Sequence, residues 1–236
     1  MNACFITGTD TGVGKTLITG LLARYLLSKG INTITQKWIQ TGASMSLGDI
    51  EIHLKLTKIR RREILPYIDH ILPYNLKFPA SPHLAADAEG VKISEPKIKK
   101  SFSYLKKNFD YTLVEGVGGV LVPLSRRRLV IDTAADLKLP VIIVAENKLG
   151  AINHTLLTIE AIKKRKMPIF GIIFNSKNAR SQKKIIEDNP KVIAQISKER
   201  ILGSLPYCSS SESLYKAFIP IGAKAYSLQD AFYNTL

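Results

Sequence analysis

Short apolar runs alternate along this chain with longer stretches whose apolar positions recur at helical spacing. The runs Ala3–Thr7, Tyr111–Glu115, Val141–Glu146 and Ile169–Asn175, with a weaker one at Ile201–Leu205, are nearly continuous, as in strands buried on both faces. Thr33–Lys37 reads as one more strand. Between the first two strands of the chain, Lys15–Ser28 places Leu17, Leu21, Leu22 and Tyr25 at a period of about 3.6, a helical signal. Gly30 stands where such a helix would end in a left-handed residue. Asn153–Lys166 and Lys183–Lys198 read as further helices. This alternation predicts an α/β fold, a mostly parallel sheet with helices on both faces. No repeat, low-complexity tract or linker interrupts it, so residues 1–236 are expected to form a single domain. Two regions are less regular: Ser44–Pro82, and a loop expected at Ser209–Ser211 between Pro206 and Pro220.

In open α/β sheets, ligands sit at the carboxyl ends of strands. That rule directs attention to Thr7–Thr16, Lys37–Gly42, Glu115–Gly119, Glu146–Asn153 and Asn175. The clearest chemistry lies in Gly8-Thr9-Asp10-Thr11-Gly12-Val13-Gly14-Lys15-Thr16. A Gly-rich turn between a strand and a helix can aim successive N–H groups at phosphate oxygens, with the helix dipole behind them. Lys15 would then meet the β- and γ-phosphates and the Thr16 hydroxyl a Mg²⁺ ion. The usual spacing would put a glycine at Thr9; here the glycine is one step earlier, at Gly8. Lys37, at the end of the second strand, could stabilise charge on a transferring phosphoryl group. Asp49 reads either as a Mg²⁺ contact or as a helix cap. Glu115, followed by Gly116-Val117-Gly118-Gly119, offers a second acidic contact and a close backbone approach to an anion. The Asn175 amide offers a donor and an acceptor to a base edge. His83, in Pro79-Ala80-Ser81-Pro82-His83, suits a cap as well as a ligand, and His53, His70 and His154 lack metal-ligand spacing. Asp132 and Asp136 read as a solvated helix face.

Composition narrows the partners. Hydrophobic residues are 45% and charged residues 22%, ordinary globular usage that excludes disorder as a global state. Thirty-four Lys and Arg against 19 Asp and Glu leave a net charge of +15, an attraction to anions. The basic runs Arg60–Arg62, Arg126–Arg128 and Lys163–Lys166 are scattered and lack aromatic interleaving, so no nucleic-acid partner is expected. Only Cys4 and Cys208 occur, which excludes a disulfide scaffold and fits a reducing compartment. No apolar stretch approaches the ~18 residues that span a bilayer, and the first residues lack signal-peptide features. A cytoplasmic protein with no membrane partner is expected.

Taken together, these motifs resemble the dethiobiotin synthetase family. The resemblance spans most of the chain: Thr7-Gly8-Thr9-Asp10-Thr11 with Gly14-Lys15-Thr16, Lys37 with Thr41-Gly42, Pro79-Ala80-Ser81-Pro82-His83, Val114-Glu115-Gly116-Val117-Gly118-Gly119, Leu149-Gly150-Ala151-Ile152-Asn153-His154 and Gly203-Ser204-Leu205-Pro206-Tyr207. It implies a P-loop NTPase-like fold and a homodimer that converts 7,8-diaminononanoate, CO₂ and ATP, with Mg²⁺, into dethiobiotin, ADP and phosphate. It implies Lys37 and Lys15 as catalytic residues and Thr16, Asp49 and Glu115 as the Mg²⁺ set. For ATP it implies Gly12, Val13, Gly14, Lys15, Thr16, Leu17, Glu115, Gly116, Val117 and Gly118, with Asn175, Leu205, Pro206, Tyr207 and Glu212 around adenine. For the diamine it implies Thr41, Pro79 and Ser81, with Gly150, Ala151 and Asn153 holding its carboxylate across the dimer interface. Two departures stand out: Trp38 follows the lysine where the family commonly has Pro, and the stretch before Asp49 is short.

Two other classes fit a phosphate loop. A partition-type ATPase often carries an extra lysine where this chain has Asp10, and ends in an amphipathic membrane helix not expected here. A non-catalytic nucleotide-binding regulator has no use for Lys37 together with Glu115.

Overall fold

Six strands form one parallel sheet in the computed structural model, which describes residues 2–43, 47–177 and 182–233. Residues 44–46, at the start of the irregular stretch, lie outside the described residues. The strands are β1 (Asn2–Gly8), β2 (Thr33–Lys37), β3 (Tyr111–Gly119), β4 (Val141–Glu146), β5 (Ile169–Asn175) and β6 (Ile201–Leu205). Their order across the sheet is β6-β5-β4-β1-β3-β2. The helices are α1 (Lys15–Ser28), α2 (Asp49–Thr57), α3 (Pro82–Ala88), α4 (Glu95–Asn108), α5 (Val130–Asp136), α6 (Ala151–Lys163), α7 (Lys183–Ser197) and α8 (Ser211–Tyr233), with shorter helical turns between Arg61 and Ile71. Two short strand pairs, Ile39–Gln40 with Tyr74–Asn75 and Pro123–Ser125 with Arg128–Leu129, stand apart from the sheet.

Both faces of the sheet are covered, which explains the continuous apolar runs. Successive side chains of a strand point to opposite faces. On one face Ala3 and Phe5 join Val114, Ile143 and Phe174, against Ile98 and Phe102 of α4, Ile162 of α6 and Ile193 of α7. On the other, Cys4 and Ile6 join Leu113, Ile142 and Val144, against Ile18 and Leu22 of α1 and Phe218 of α8. Each large apolar side chain buried in this way stabilises the fold by roughly 1.5–3 kcal/mol. Trp38 extends the first core: it is 2% exposed, stacks on Phe5 at 5.5 Å and donates its indole N–H to Gln36 at 3.0 Å.

Three expectations need correction. The strand that carries Glu115 does not end there but runs on to Gly119, with a register shift in its pairing to β1 between Ile6 and Gly8. Helix α6 begins at Ala151, not Asn153, because Gly150 takes the left-handed N-cap position, and it ends at Lys163, not Lys166. The loop expected at Ser209–Ser211 is short, and Ser211 opens a 23-residue helix with Pro220 inside it. An interior proline costs a helix ~3 kcal/mol. Burial of Phe218, Ile221 and Ala225 against α1 and β6 offsets that cost, and Gly222 lets the helix approach the Tyr25 ring. The irregular stretch also contains a regular element, α2, whose Ile50, His53 and Leu56 are buried.

Register positions the site. Lys37 of β2 and Glu115 of β3 are direct partners in a parallel pair, and Ile6 of β1 is the partner of Glu115 on the other side. Two charged residues that lie far apart in sequence therefore meet beside the loop that leaves β1.

Candidate functional site

The loop between β1 and α1 is built on close backbone approach. A side chain at Gly8 would place its Cβ 2.8 Å from Val13 and 3.0 Å from the Lys15 ammonium. Gly14, at φ 105°, is the left-handed N-cap of α1, and a Cβ there would collide with the Asn175 side-chain amide. Asn175 in turn donates its Nδ2 to the Val13 carbonyl at 2.9 Å. The loop is thus held from behind by the end of β5, and the first N–H groups of α1 lack intrahelical partners, as helix starts do. Lys15 is buried and donates to the Asp10 carbonyl at 2.8 Å. Burial first, and then the nearby Lys37 charge, lowers its pKa to about 8.

A buried charge cluster faces this loop. The Lys37 ammonium lies 2.7 Å from Glu115 Oε1 and 2.6 Å from Asp49 Oδ2, and it donates to the Gly116 carbonyl at 2.9 Å. The Thr16 hydroxyl donates to the same Glu115 Oε1 at 3.0 Å. Burial alone would push the Glu115 carboxyl up, but Lys37 and His53 together hold it well below the usual carboxylate range. Burial likewise opposes the charge on Lys37, and Glu115 and Asp49 outweigh it, so its pKa is raised. Asp49 is the first residue of α2, whose N-cap is Gly48, and its N–H donates to Gln40 Oε1 at 3.1 Å. The short stretch before Asp49 therefore still delivers this carboxylate to the lysine.

The cleft in front of the cluster has a volume of about 580 Å³. Its walls include Gly12, Gly14, Lys15, Thr16, Leu17, Lys37, Thr41, Asp49, Glu115, Val117 and Gly118, together with Thr11, Gln40 and Ile52. The other residues singled out by sequence do not line it. Pro79 sits against Gly42, where a Cβ would come within 3.2 Å, so the Thr41 and Pro79 segments adjoin. That contact follows from the pairing of Ile39–Gln40 with Tyr74–Asn75. Ser81 caps α3 without a side-chain cap bond and instead meets His83 Nδ1 at 3.1 Å. Leu205 is the register partner of Asn175, and Pro206 and Tyr207 follow it into solvent. Glu212 is exposed and paired with Arg24 at 2.8 Å and Lys58 at 3.3 Å. Gly150, Ala151 and Asn153 form the start of α6, away from the cleft walls.

Sequence reasoning passed over His53. It is 1% exposed, and its Nε2 lies 2.8 Å from Glu115 Oε2. The signal was its place four residues after Asp49, which puts both on one helix face. Lys177 was also missed: it pairs with Glu146 at 2.9 Å, and its ammonium would lie 3.9 Å from a Cβ on Gly12.

Residues 2–213 match the family described as AAA domain. The chain is 42% identical to the ATP-dependent dethiobiotin synthetase of Chlorobaculum tepidum over 201 residues, 85% of this chain and 83% of that one. It is 38% identical to the protein of the same name from Thermodesulfovibrio yellowstonii over 210 residues, 86% of this chain and 88% of that one. Among solved structures, the MinC:MinD cell division complex of Aquifex aeolicus aligns at a TM-score of 0.60 and 18% identity, over 97% of this chain and 95% of that chain. A putative plasmid partition protein of Borrelia burgdorferi, bound to AMPPNP, aligns at 0.60 and 21% identity, over 94% and 98%. At such identities the two structures share the P-loop NTPase fold and nothing finer.

Proposed function

The chain belongs to the ATP-dependent dethiobiotin synthetase family, and from that premise we propose that the cleft beside the phosphate loop carries the family's reaction. The protein is an ATP-dependent ligase of biotin biosynthesis whose product is dethiobiotin. The observation that carries the residue roles is the meeting of Lys37, Glu115 and Asp49 in front of Lys15 and Thr16.

In this reading residues 1–236 form one nucleotide-binding domain. Gly12, Val13, Gly14 and Leu17 offer backbone N–H groups to the ATP phosphates, and Lys15 adds a charge. Gly116, Val117 and Gly118 close the phosphate side, while Asn175, Leu205, Pro206, Tyr207 and Glu212 surround adenine. Thr16, Asp49 and Glu115 suit Mg²⁺, because they present two carboxylates and a hydroxyl, the oxygen donors a hard cation takes. The Thr16 and Glu115 oxygens, 3.0 Å apart, already face one point. Bound there, Mg²⁺ would neutralise charge on the phosphates.

One amine of 7,8-diaminononanoate adds to CO₂ and loses a proton, giving a carbamate. A carbamate oxygen attacks the γ-phosphorus as the bond to ADP breaks. The Lys37 ammonium, held between two carboxylates, stabilises the charge on the transferring phosphoryl group. The second amine then attacks the carbonyl carbon, loses a proton and expels phosphate, which closes the ring. Thr41, Pro79 and Ser81 position the diamine. Gly150, Ala151 and Asn153 of a second copy hold its carboxylate at the start of α6 in a homodimer. Leu121, Leu149 and Leu157 are 52%, 83% and 56% exposed and supply an apolar surface for that pairing. With +15 on each copy, the dimer should tighten as salt screens the repulsion.

Among the described residues, no helix is long and apolar enough to cross a membrane. The reading places the enzyme in the cytoplasm, with neither nucleic acid nor membrane as a partner. Phosphate release and dethiobiotin formation from ATP, bicarbonate and the diamine test it, alongside sedimentation at low and high salt. A monomer that turns over the diamine defeats the shared site, and duplex DNA binding that vanishes in salt defeats the exclusion of nucleic acid.

A further inference from the structure

His53 is a buried titratable group to which the roles above give no task. It is seated by an unusually close approach of α2 to α1: a Cβ on Gly20 would come within 2.6 Å of Leu56 and 3.4 Å of the His53 Cα. The ring also borders a small, mostly apolar cavity, with Ile34, Ile50 and Ile71 beside Thr33, Thr35 and Thr57. In front of it is Glu115, with Nε2 2.8 Å from Oε2.

The two oxygens of Glu115 are treated very differently. Oε1 receives the Thr16 hydroxyl at 3.0 Å and the Lys37 ammonium at 2.7 Å. Oε2 is buried, and among the described residues it makes no well-formed hydrogen bond, although the imidazole Nε2 lies 2.8 Å from it. Nε2 and Nδ1 of His53 likewise make no well-formed hydrogen bond among the described residues. Two buried polar atoms that face one another, each unsatisfied, are stabilised by bonding to each other, and a carboxylate acceptor makes that bond a strong one. At 2.8 Å the two atoms are already within hydrogen-bond distance.

We propose that His53 is the positioning residue of Glu115: its Nε2–H holds Oε2, fixes the rotation of the carboxylate and so turns Oε1 toward Thr16, Lys37 and the cation. The proposal rests on the assignment of Glu115 to Mg²⁺ made above. Partners that orient a metal-binding carboxylate from behind typically change metal affinity by about 10–100-fold when removed. They do so without touching substrate, so the effect falls on the metal and not on the nucleotide.

The test is calorimetry of ADP binding, with and without Mg²⁺, to the unmodified protein, His53→Met and His53→Gln. Met fills the space without a donor, and Gln restores one. In His53→Met the gain in ADP affinity on adding Mg²⁺ should shrink by about tenfold, with metal-free ADP affinity unchanged. His53→Gln should recover most of the gain. In turnover, His53→Met should need more Mg²⁺ for half-saturation and approach the unmodified kcat when Mg²⁺ is saturating. In the unmodified protein, ¹⁵N spectra of the imidazole should show a proton on Nε2 whose signal moves when Mg²⁺ and ADP bind, and this decides the matter alone if His53→Met does not fold. An unprotonated Nε2, a full Mg²⁺ gain in His53→Met, or equal losses in the Met and Gln variants would each overturn the proposal. Absence of any Mg²⁺ gain in the unmodified protein would overturn it together with the role of Glu115, whereas a gain that survives in His53→Met sinks the role of His53 alone.

Discussion

Two clusters of opposite charges in this molecule look alike as contacts and differ in what surrounds them. At the end of β2 and the middle of β3, Lys37 joins Asp49 and Glu115, with Lys37 and Glu115 side chains 4% and 1% exposed. Around α5, Arg128 joins Glu95 and Asp136, Lys99 joins Asp136, and Arg165 joins Asp132, with Arg128 and Asp136 side chains 36% and 40% exposed. Both hold their carboxyls below the usual range: Glu115 against the pull of burial, Asp136 chiefly through its hydrogen bond from Lys99. Water and salt screen the second cluster, so its pairs contribute little each. The first is sheltered, and loss of one partner leaves a bare buried charge. A counter-charge acts strongly on chemistry only where water cannot compete with it, and of the two it is the sheltered first cluster that borders the cleft beside the phosphate loop.

The comparison breaks most sharply at Lys37. Lys37→Gln should lower kcat by at least about 10²-fold and leave ATP affinity within a few fold, since the charge is needed where negative charge develops. Steady-state turnover with calorimetric ATP binding checks this, and near-normal kcat would refute the role. Removal of the cation should also destabilise the fold by up to about 3–5 kcal/mol, measured by urea unfolding, because Glu115 keeps its burial and loses its lysine counter-charge, with the Thr16 hydroxyl and His53 left beside it.

Lys15→Ala should weaken ATP binding by about 10–100-fold, the worth of a charge-assisted contact to phosphate. Unchanged affinity would remove Lys15 from the phosphate site.

The lowered Lys15 pKa of about 8 sharpens the contrast with pH. Below that value Lys15 is charged in the free protein. Above it, ATP binding must take up a proton, so affinity should fall toward about tenfold per pH unit. Lys15→Ala should abolish this dependence. Stability moves in the opposite direction: between about 8 and the ordinary 10.5 the unfolded chain holds a proton that the folded one does not, so this group's contribution to stability rises with pH across that window. Lys37 has a raised pKa, so its contribution is present below 10.5 and is lost only at higher pH.

The smallest effect belongs to the outer cluster. Arg128→Ala should cost about 1 kcal/mol or less in urea unfolding, shrink further in high salt and leave turnover unchanged. A large loss of activity would mean that the two clusters are not as distinct as their exposure indicates.

What could be read from the order of residues is what depends on neighbours in the chain. The runs Val141–Glu146 and Ile169–Asn175 are strands with those bounds, because a strand buried on both faces must be apolar almost throughout, and Thr33–Lys37 and Ile201–Leu205, at the two edges of the sheet, also keep the bounds read for them. Lys15–Ser28 is a helix with those bounds, ending at Gly30 with φ 77°. The phosphate loop was equally legible, being a contiguous motif between a strand and a helix. Tertiary structure decided everything that depends on distant residues. Pro220 reads as a break until the burial of Phe218 and Ile221 is seen to outweigh it. The pairing of Lys37 with Glu115 comes from the register of two strands whose partners are 78 residues apart. The place of His53 comes from the closeness of α2 to α1 at Gly20. Local pattern records whether a residue will be buried, but which residue it will meet there is set by register and helix packing, and those belong to the whole chain.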